Sequence, residues 1–226
     1  MTIIYAILLI LISAGVASAL TPLVARVART LDVVDRPNVR KVSDRADMPL
    51  LGGLAVALGT VVGLAAAMQL DLRMKEIFTY FDGFLIGGSL MLLIGALDDR
   101  FGLTAAPKLA VQVLAASVAI FYGVRIEEFR EPISGLEFTI PYYLSWALTT
   151  LWIVGITNAM NLIDGLDGEA AGIGAIIALT LTVICWQTGQ WTGVALGLVL
   201  FGALLGFLPF NFPPARIFLG DTGALF

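Results

Sequence analysis

Seven long apolar runs account for most of this 226-residue sequence. Each is about 17–20 residues long, and a helix of that length crosses roughly 30 Å of hydrocarbon. Ten-residue strands of alternating polarity do not occur, which argues against an outer-membrane barrel. The sequence therefore predicts an all-α, polytopic transmembrane helical bundle, with about seven spans and the start of an eighth, in a single domain over residues 1–226. The predicted spans are 3–22, 50–70, 81–97, 105–123, 142–158, 170–188 and 192–209.

Composition supports membrane insertion and excludes several kinds of site. The chain is 59% hydrophobic and 13% charged, whereas soluble domains are roughly 45–50% apolar and about 25% charged. It contains no histidine, so a histidine-ligated zinc site or a Ser-His-Asp triad cannot form within it. No basic stripe or aromatic stacking array is present, and nucleic acid is not an expected partner.

The basic residues predict the orientation in the bilayer. Six of the 13 Lys and Arg residues lie in the first loop, 23–49, and positive charge near span ends favours the cytoplasmic side. This places the N-terminus outside and the turns after spans three, five and seven inside. The segment at 17–19 resembles a signal-peptide cleavage site, but the basic residues follow the first run, which favours an uncleaved helix.

Smaller features fit the same bundle. Loop 124–141 alternates apolar and polar residues around Gly135 and predicts a short external hairpin. Four GxxxG spacings are typical of close helix packing. They are Gly59/Gly63, Gly168/Gly172, Gly193/Gly197 and Gly202/Gly206.

Two adjacent carboxylates, Asp98 and Asp99, follow the third apolar run directly. Such a pair can share a proton or bind cationic groups, although it can also simply end a helix in water. Lys108 comes nine residues after Asp99, at the start of the next run. Its ammonium can contact a phosphate or only reach the membrane interface. Without their neighbours these residues indicate little.

The segment NAMNLIDGLDG, 158–168, is much more specific. Asn161, Asp164 and Asp167 are three residues apart, so neighbouring members would share a helix face. Amide and carboxylate oxygens suit a hard cation such as magnesium. The competing interpretation is a capping cluster at the start of the sixth span, because Asn and Asp favour that position.

A third polar segment, NFPPARIFLGDTG, lies at 211–223, near the end of the sequence. Pro213 and Pro214 predict the end of the preceding helix. The segment supplies Asn211, Arg216 and Asp221, and Asp221 stands between two glycines that permit a tight turn. Arg216 can bind phosphate with two hydrogen bonds or only mark the cytoplasmic side.

Together the three segments resemble the polyprenyl-phosphate N-acetylhexosamine-1-phosphate transferases, of the undecaprenyl-phosphate GlcNAc-1-phosphate type (glycosyltransferase family 4). The resemblance runs from RPNVRKVSDRADMPLLGG to the end of the chain. It implies transfer of an N-acetylhexosamine-1-phosphate, GlcNAc-1-phosphate being favoured, from a UDP-sugar to polyprenyl phosphate, with release of UMP. Mg²⁺ is the implied cofactor, with Mn²⁺ as an alternative, and a homodimer is a further expectation.

The resemblance also assigns roles residue by residue. The candidate catalytic residues are Asp98, matching the family's base, with Asp99 and Asp164. The candidate magnesium ligands are Asn161 and Asp221. Lys108 and Asp167 are candidate substrate-binding residues by the same match. Asn211 and Arg216 are further substrate-binding candidates from the third segment, and the resemblance gives Arg216 no definite role. Family members have ten or eleven helices and a later histidine-containing loop, so further C-terminal helices are expected. Ser43 stands where relatives often have a histidine.

Two other functions remain as alternatives. A cation-coupled transporter would also keep acids in a membrane, but such acids usually lie at the bilayer midplane between repeats. A non-catalytic fragment or assembly partner would fit the abrupt end of the sequence and its lack of histidine.

The topology can be tested by cysteine labelling. Single cysteines at positions 44, 102 and 167 should not react with an impermeant reagent added outside intact cells, because all three positions are predicted to be cytoplasmic. Labelling at all three would overturn the orientation. It would also overturn the expectation that the three polar segments, which lie on the same side of the bilayer, form one site.

Overall fold

A computed structural model of the chain describes residues 3–35, 47–70, 77–131 and 135–226. Seven apolar helices follow one another along these residues. They are α1 (Ile3–Thr30), α2 (Gly52–Leu70), α3 (Ile77–Phe101), α4 (Ala105–Phe121), α5 (Tyr142–Ile163), α6 (Glu169–Gln187) and α7 (Trp191–Asn211). A short helix, α8 (Gly220–Ala224), comes last.

The predicted helical membrane bundle is confirmed. Six of the apolar helices are long enough and apolar enough to cross a bilayer. The exception is α4, whose 17 residues extend about 25 Å at 1.5 Å per residue. The five-residue α8 leaves the predicted eighth span untested.

Helix α1 is longer than expected. The sequence predicted its end at residue 22, but the helix continues through Pro22 to Thr30. In this extension Val24, Ala25 and Ala28 are buried, which is the spacing of one helix face packed on a core. The other basic residues of the predicted cytoplasmic loop, Arg36, Arg40, Lys41 and Arg45, lie outside the described residues, as does Ser43.

Close backbone contacts join α1, α2 and α7. A methyl group added at Gly202 would lie 2.6 Å from the Ile10 carbonyl oxygen, and one at Gly206 would overlap the Ala14 carbonyl oxygen. Gly59 of α2 lies against the Ser13 carbonyl of α1, and Gly63 lies against the Ser13 hydroxyl. The packing predicted for these GxxxG pairs is therefore confirmed.

The two remaining GxxxG pairs differ in how closely they pack. Gly193 and Gly197 pack against Cys185 and Thr182 of α6, as predicted. Gly172 has open space around it, so close packing is wrong for that residue.

Two small antiparallel pairings complete the fold. β1 (Val34–Asp35) pairs with β2 (Met48–Pro49) after α1. β3 (Glu128–Arg130) pairs with β4 (Glu137–Thr139) between α4 and α5, with Phe129 opposite Phe138. The second pairing confirms the hairpin predicted around Gly135, which has a φ of 71°. Residues 132–134 lie outside the described residues.

Replacing Gly206 by Ala should weaken the bundle, because the new methyl group would overlap the Ala14 carbonyl of α1. We expect a loss of about 1–3 kcal/mol in the free energy of unfolding, measured in detergent. Gly172→Ala is the matched control, since its methyl group enters open space. It should leave stability unchanged or raise it slightly. Equal losses in both variants would contradict this account of the packing.

Candidate active site

The two adjacent carboxylates lie on α3 itself, within its last turn. The sequence predicted that the span ends at residue 97, but the helix continues to Phe101. Because successive residues of an α-helix point about 100° apart, Asp98 and Asp99 face different neighbours. Asp98 turns to α4 and Asp99 turns to α8.

Lys108 connects α4 to two carboxylates. Its Nζ lies 2.6 Å from Oδ2 of Asp98 and 3.3 Å from Oδ2 of Asp221. The other oxygen of Asp98 accepts a hydrogen bond of 2.6 Å from the Leu103 backbone N–H. Both oxygens of Asp98 are therefore bound by groups of the chain, and the residue is only 9% exposed. One ammonium thus bridges residues that are 123 positions apart in the sequence.

Asp99 holds the start of α8. Its Oδ1 accepts the backbone N–H of Asp221 at 2.8 Å, and its Oδ2 accepts the backbone N–H of Thr222 at 3.0 Å. The hydroxyl of Thr222 donates to the same Oδ2 at 2.5 Å. Gly220 begins this helix with a φ of 73°, and a side chain there would lie 2.6 Å from the Asp99 carboxylate. The glycine is therefore needed for both conformation and space.

Asn161 brings the end of α5 to the same place. Its amide donates to Oδ1 of Asp221 at 2.9 Å. The shared helix face predicted for Asn161, Asp164 and Asp167 is wrong, because α5 ends at Ile163 and Asp164 is its C-cap. The capping alternative also fails at the N-cap of α6, which is Gly168 with no side-chain hydrogen bond.

Asp164 and Asp221 carry signs of crowded negative charge. Burial, together with the charges of Asp221 and Asp99, raises the pKa of the Asp164 carboxyl to about 7, although the Gly220 N–H opposes the shift. Burial and the neighbouring Asp98 raise the pKa of Asp221 to about 6, against the effect of the Asn161 amide. A cation placed here would relieve this repulsion and favour the ionised carboxylates.

Three other predicted residues lie in or near the loop after α7, and two of them bind it through their side chains. Oδ2 of Asp167 accepts the Ala215 N–H at 2.9 Å. The amide of Asn211, which is 2% exposed, donates to the Ile217 carbonyl at 3.1 Å. Arg216 is exposed. These contacts shape the loop that leads to Asp221, and substrate binding by the three residues stays a prediction.

The donor atoms of the cluster are compatible with magnesium. Within the described part of the chain, no group of three or more acidic, cysteine or histidine side chains is arranged to hold a metal ion. Magnesium usually takes only one or two carboxylates and completes its shell with waters and substrate phosphates. Asp221 with the adjacent Asn161 fits that pattern, because the amide offers an oxygen to a cation once it turns.

Comparison with known proteins identifies the family. The family model described as "Glycosyl transferase family 4" matches residues 81–226, more than half of the chain. The chain belongs to glycosyl transferase family 4.

Individual relatives agree with this family membership. The chain is 41% identical over 208 residues to a Bacillus subtilis protein named "Probable undecaprenyl-phosphate N-acetylglucosaminyl 1-phosphate transferase", covering 92% of this chain and 56% of the relative. It is 40% identical over 189 residues to the decaprenyl-phosphate N-acetylglucosaminephosphotransferase of Mycolicibacterium smegmatis, covering 78% of this chain and 46% of the relative. A phospho-N-acetylmuramoyl-pentapeptide-transferase of Moorella thermoacetica is 37% identical over 186 residues, covering 80% of this chain and 58% of the relative. The chain spans about half the length of these relatives.

This family 4 chain has site residues that the sequence did not single out. Thr222 contributes a hydroxyl and an N–H to Asp99. Its position inside the GDTG motif was the available signal. The Leu103 backbone N–H, which binds Asp98, has no signature in a side chain and requires the structure.

Asp99→Asn should loosen α8, because an amide group has one acceptor oxygen for the three donors that now share a carboxylate. We expect a loss of about 1.5–3 kcal/mol in the free energy of unfolding, measured by denaturation in detergent. Asp82→Asn, at an exposed position on the opposite end of α3, should change stability little. An Asp99→Asn variant as stable as the parent would contradict the role of this carboxylate in holding α8.

Proposed function

We propose that this chain catalyses transfer of GlcNAc-1-phosphate from UDP-GlcNAc to polyprenyl phosphate, with release of UMP. The single observation behind the proposal is the Lys108 ammonium between Asp98 and Asp221, beside Asn161. Family membership and the names of the relatives support the same reaction class. The proposed location is a bacterial plasma membrane, with the N-terminus outside and this site facing the cytoplasm.

The first requirement of the reaction is to hold negatively charged phosphates among carboxylates. Mg²⁺, or Mn²⁺ in its place, would be held by Asp221 and Asn161 and would offset the charge of the donor diphosphate. Lys108 is the cation of the described cluster and would contact a phosphate directly. Phosphoryl transfer depends mainly on such positioning and charge stabilisation.

The bonds change in one displacement. An oxygen of the lipid phosphate forms a bond to the sugar-linked phosphorus, and the phosphoanhydride bond to UMP breaks. Asp98 would take a proton from the lipid phosphate, and to do so it would release Lys108 from its Oδ2. The ammonium would then be available to the phosphates. We favour this direct attack over a route through an aspartyl intermediate.

UDP-GlcNAc is favoured over a pentapeptide-bearing donor because the relatives named for N-acetylglucosamine are 37–41% identical to this chain. Those named for the pentapeptide are 34–37% identical. Formation of a homodimer stays a prediction.

The proposal is tested in membranes that contain the chain, polyprenyl phosphate and one sugar-labelled donor. Labelled UDP-GlcNAc should yield a labelled lipid and an equal amount of UMP. Turnover with the pentapeptide donor alone would replace the proposed donor, and absence of turnover with both would overturn the proposal for this chain. Membranes without the chain provide the background.

Two substitutions should separate metal binding from proton transfer. Asp221→Ala should abolish transfer and weaken metal-dependent binding of the donor, because it removes the charged ligand. Asp98→Asn should leave metal and donor binding largely intact and slow turnover by roughly 10²–10⁴-fold, as expected for loss of a general base. Titrations of magnesium and donor measure both effects. Unchanged metal dependence in Asp221→Ala would remove the metal assignment, and near-normal turnover in Asp98→Asn would remove the base.

A further inference from the structure

A buried amide lies deeper in the bundle than the charged site. Gln112 of α4 is 1% exposed, among apolar helices. A buried amide without hydrogen bonds is costly, and water is scarce at this depth. Gln112 therefore needs a partner from a neighbouring helix, and it finds one on α5.

The partner is Asn158, which binds Gln112 in both directions. The Asn158 amide donates to Oε1 of Gln112 at 2.7 Å, and the Gln112 amide donates to Oδ1 of Asn158 at 3.3 Å. The Asn158 amide also donates to the Val154 carbonyl at 2.7 Å. This third bond fixes which end of the amide group faces Gln112, so the pair has one orientation.

The pair lies one helical turn below the site on both helices. Gln112 is four residues after Lys108, and Asn158 is three residues before Asn161. Residues at these spacings share a helix face. A bond between Gln112 and Asn158 therefore fixes how far the Lys108 end of α4 stands from the Asn161 end of α5.

Helix α5 has few other anchors near the site. The buried residues of α5 are Ser145 and Thr149, and both belong to the half that starts at the hairpin. There Thr149 accepts the Ile126 N–H at 2.9 Å. At the opposite end, the described side-chain contacts of α5 residues with other helices are the amide pair and the bond from Asn161 to Asp221. The C-cap of α5, Asp164, also accepts a hydrogen bond from the Gly220 N–H of α8.

We propose that Gln112 and Asn158 are positioning residues, and that their reciprocal amide pair sets the placement of Asn161 relative to Lys108 and Asp221. The catalytic meaning of this role rests on the proposed transferase function. The placement itself does not, and it can be measured without substrate.

Distances between spin labels test the placement. Labels are attached at Thr104, which precedes α4 and makes no capping bond, and at Leu162, which is 84% exposed, in a Cys185→Ala background. Asn158→Leu should broaden or shift the distance distribution. The exchange variant Gln112→Asn with Asn158→Gln keeps two amides and the same total length, and it should restore the parental distribution.

Two further variants make the result specific. Thr149→Val removes the α5 hydrogen bond to Ile126 at the far end of the helix, and it should leave the distance near the site unchanged. Gln112→Met breaks the pair while filling a similar volume. It replaces Asn158→Leu as the pair-breaking variant if Asn158→Leu does not fold. Unchanged distances in the folded pair-breaking variant, or equal broadening by Thr149→Val, would overturn the proposal.

Turnover supplies an independent measurement. In the complete assay, breaking the pair should lower kcat by roughly 10- to 100-fold, the cost of a displacement of about 1 Å, with the exchange variant recovering most of it. If the parental chain shows no transfer while the distances behave as expected, the proposed function fails and the positioning role stands. If transfer is normal in a variant whose distances have changed, the positioning role fails.

Discussion

Helices in a membrane are held together by close packing and polar contacts, because lipid tails solvate apolar side chains as well as another helix does. This chain uses both devices. Glycines let α7 contact α1 and α6 closely, let α2 contact α1, and bring Gly95 of α3 and Gly53 of α2 against the backbone of α8. Helices α3, α4, α5 and α8 are also connected by polar groups, namely Asp99, Lys108, Asn161 and the Gln112–Asn158 pair. The site lies in the half whose helices are joined by polar groups.

The same bonds that join this half also define its chemistry. Asp99 is fully used in holding α8, so its charge is stabilised by peptide N–H groups rather than by a cation. Asp98 and Asp221 share one ammonium. The described cluster therefore keeps more carboxylates than it can neutralise, which is the electrostatic condition for binding a cation together with phosphate.

Sequence predicted the fold class well because span length and apolar composition follow directly from bilayer thickness. It also predicted that Asp98, Lys108, Asn161 and Asp221 belong to one site, since all four lie at span ends of matching parity. The helix ends were harder. α3 and α5 continue past their apolar runs to Phe101 and Ile163. The polar side chains in these last turns, Asp98 and Asn161, bind Lys108 and Asp221 instead of water.

Individual contacts required the structure for a related reason. Whether Asp99 binds a ligand or a backbone depends on the close approach of α8. That approach cannot be predicted from the sequence, because α8 is more than 120 residues away along the chain. Asn211 belongs to a recognisable motif, yet its amide binds the Ile217 carbonyl within its own loop. The sequence shows Gln112 only as one polar residue within an apolar run, and its pairing cannot be predicted because its partner lies on a different helix.

The exposure of α5 explains why so few bonds there have large consequences. Leu151, Trp152 and Leu162 are 64–84% exposed, so most of the helix surface gives no preference for one orientation over another. A cation bound at Asp221 would compete with the Asn161 amide for the same carboxylate. If that bond weakened, the remaining described polar contacts near this end of α5 would be the amide pair and the Gly220 N–H bond to Asp164, the C-cap of the helix. In the proposed reaction, the helix would then turn the Asn161 oxygen to the cation without losing its distance from Lys108.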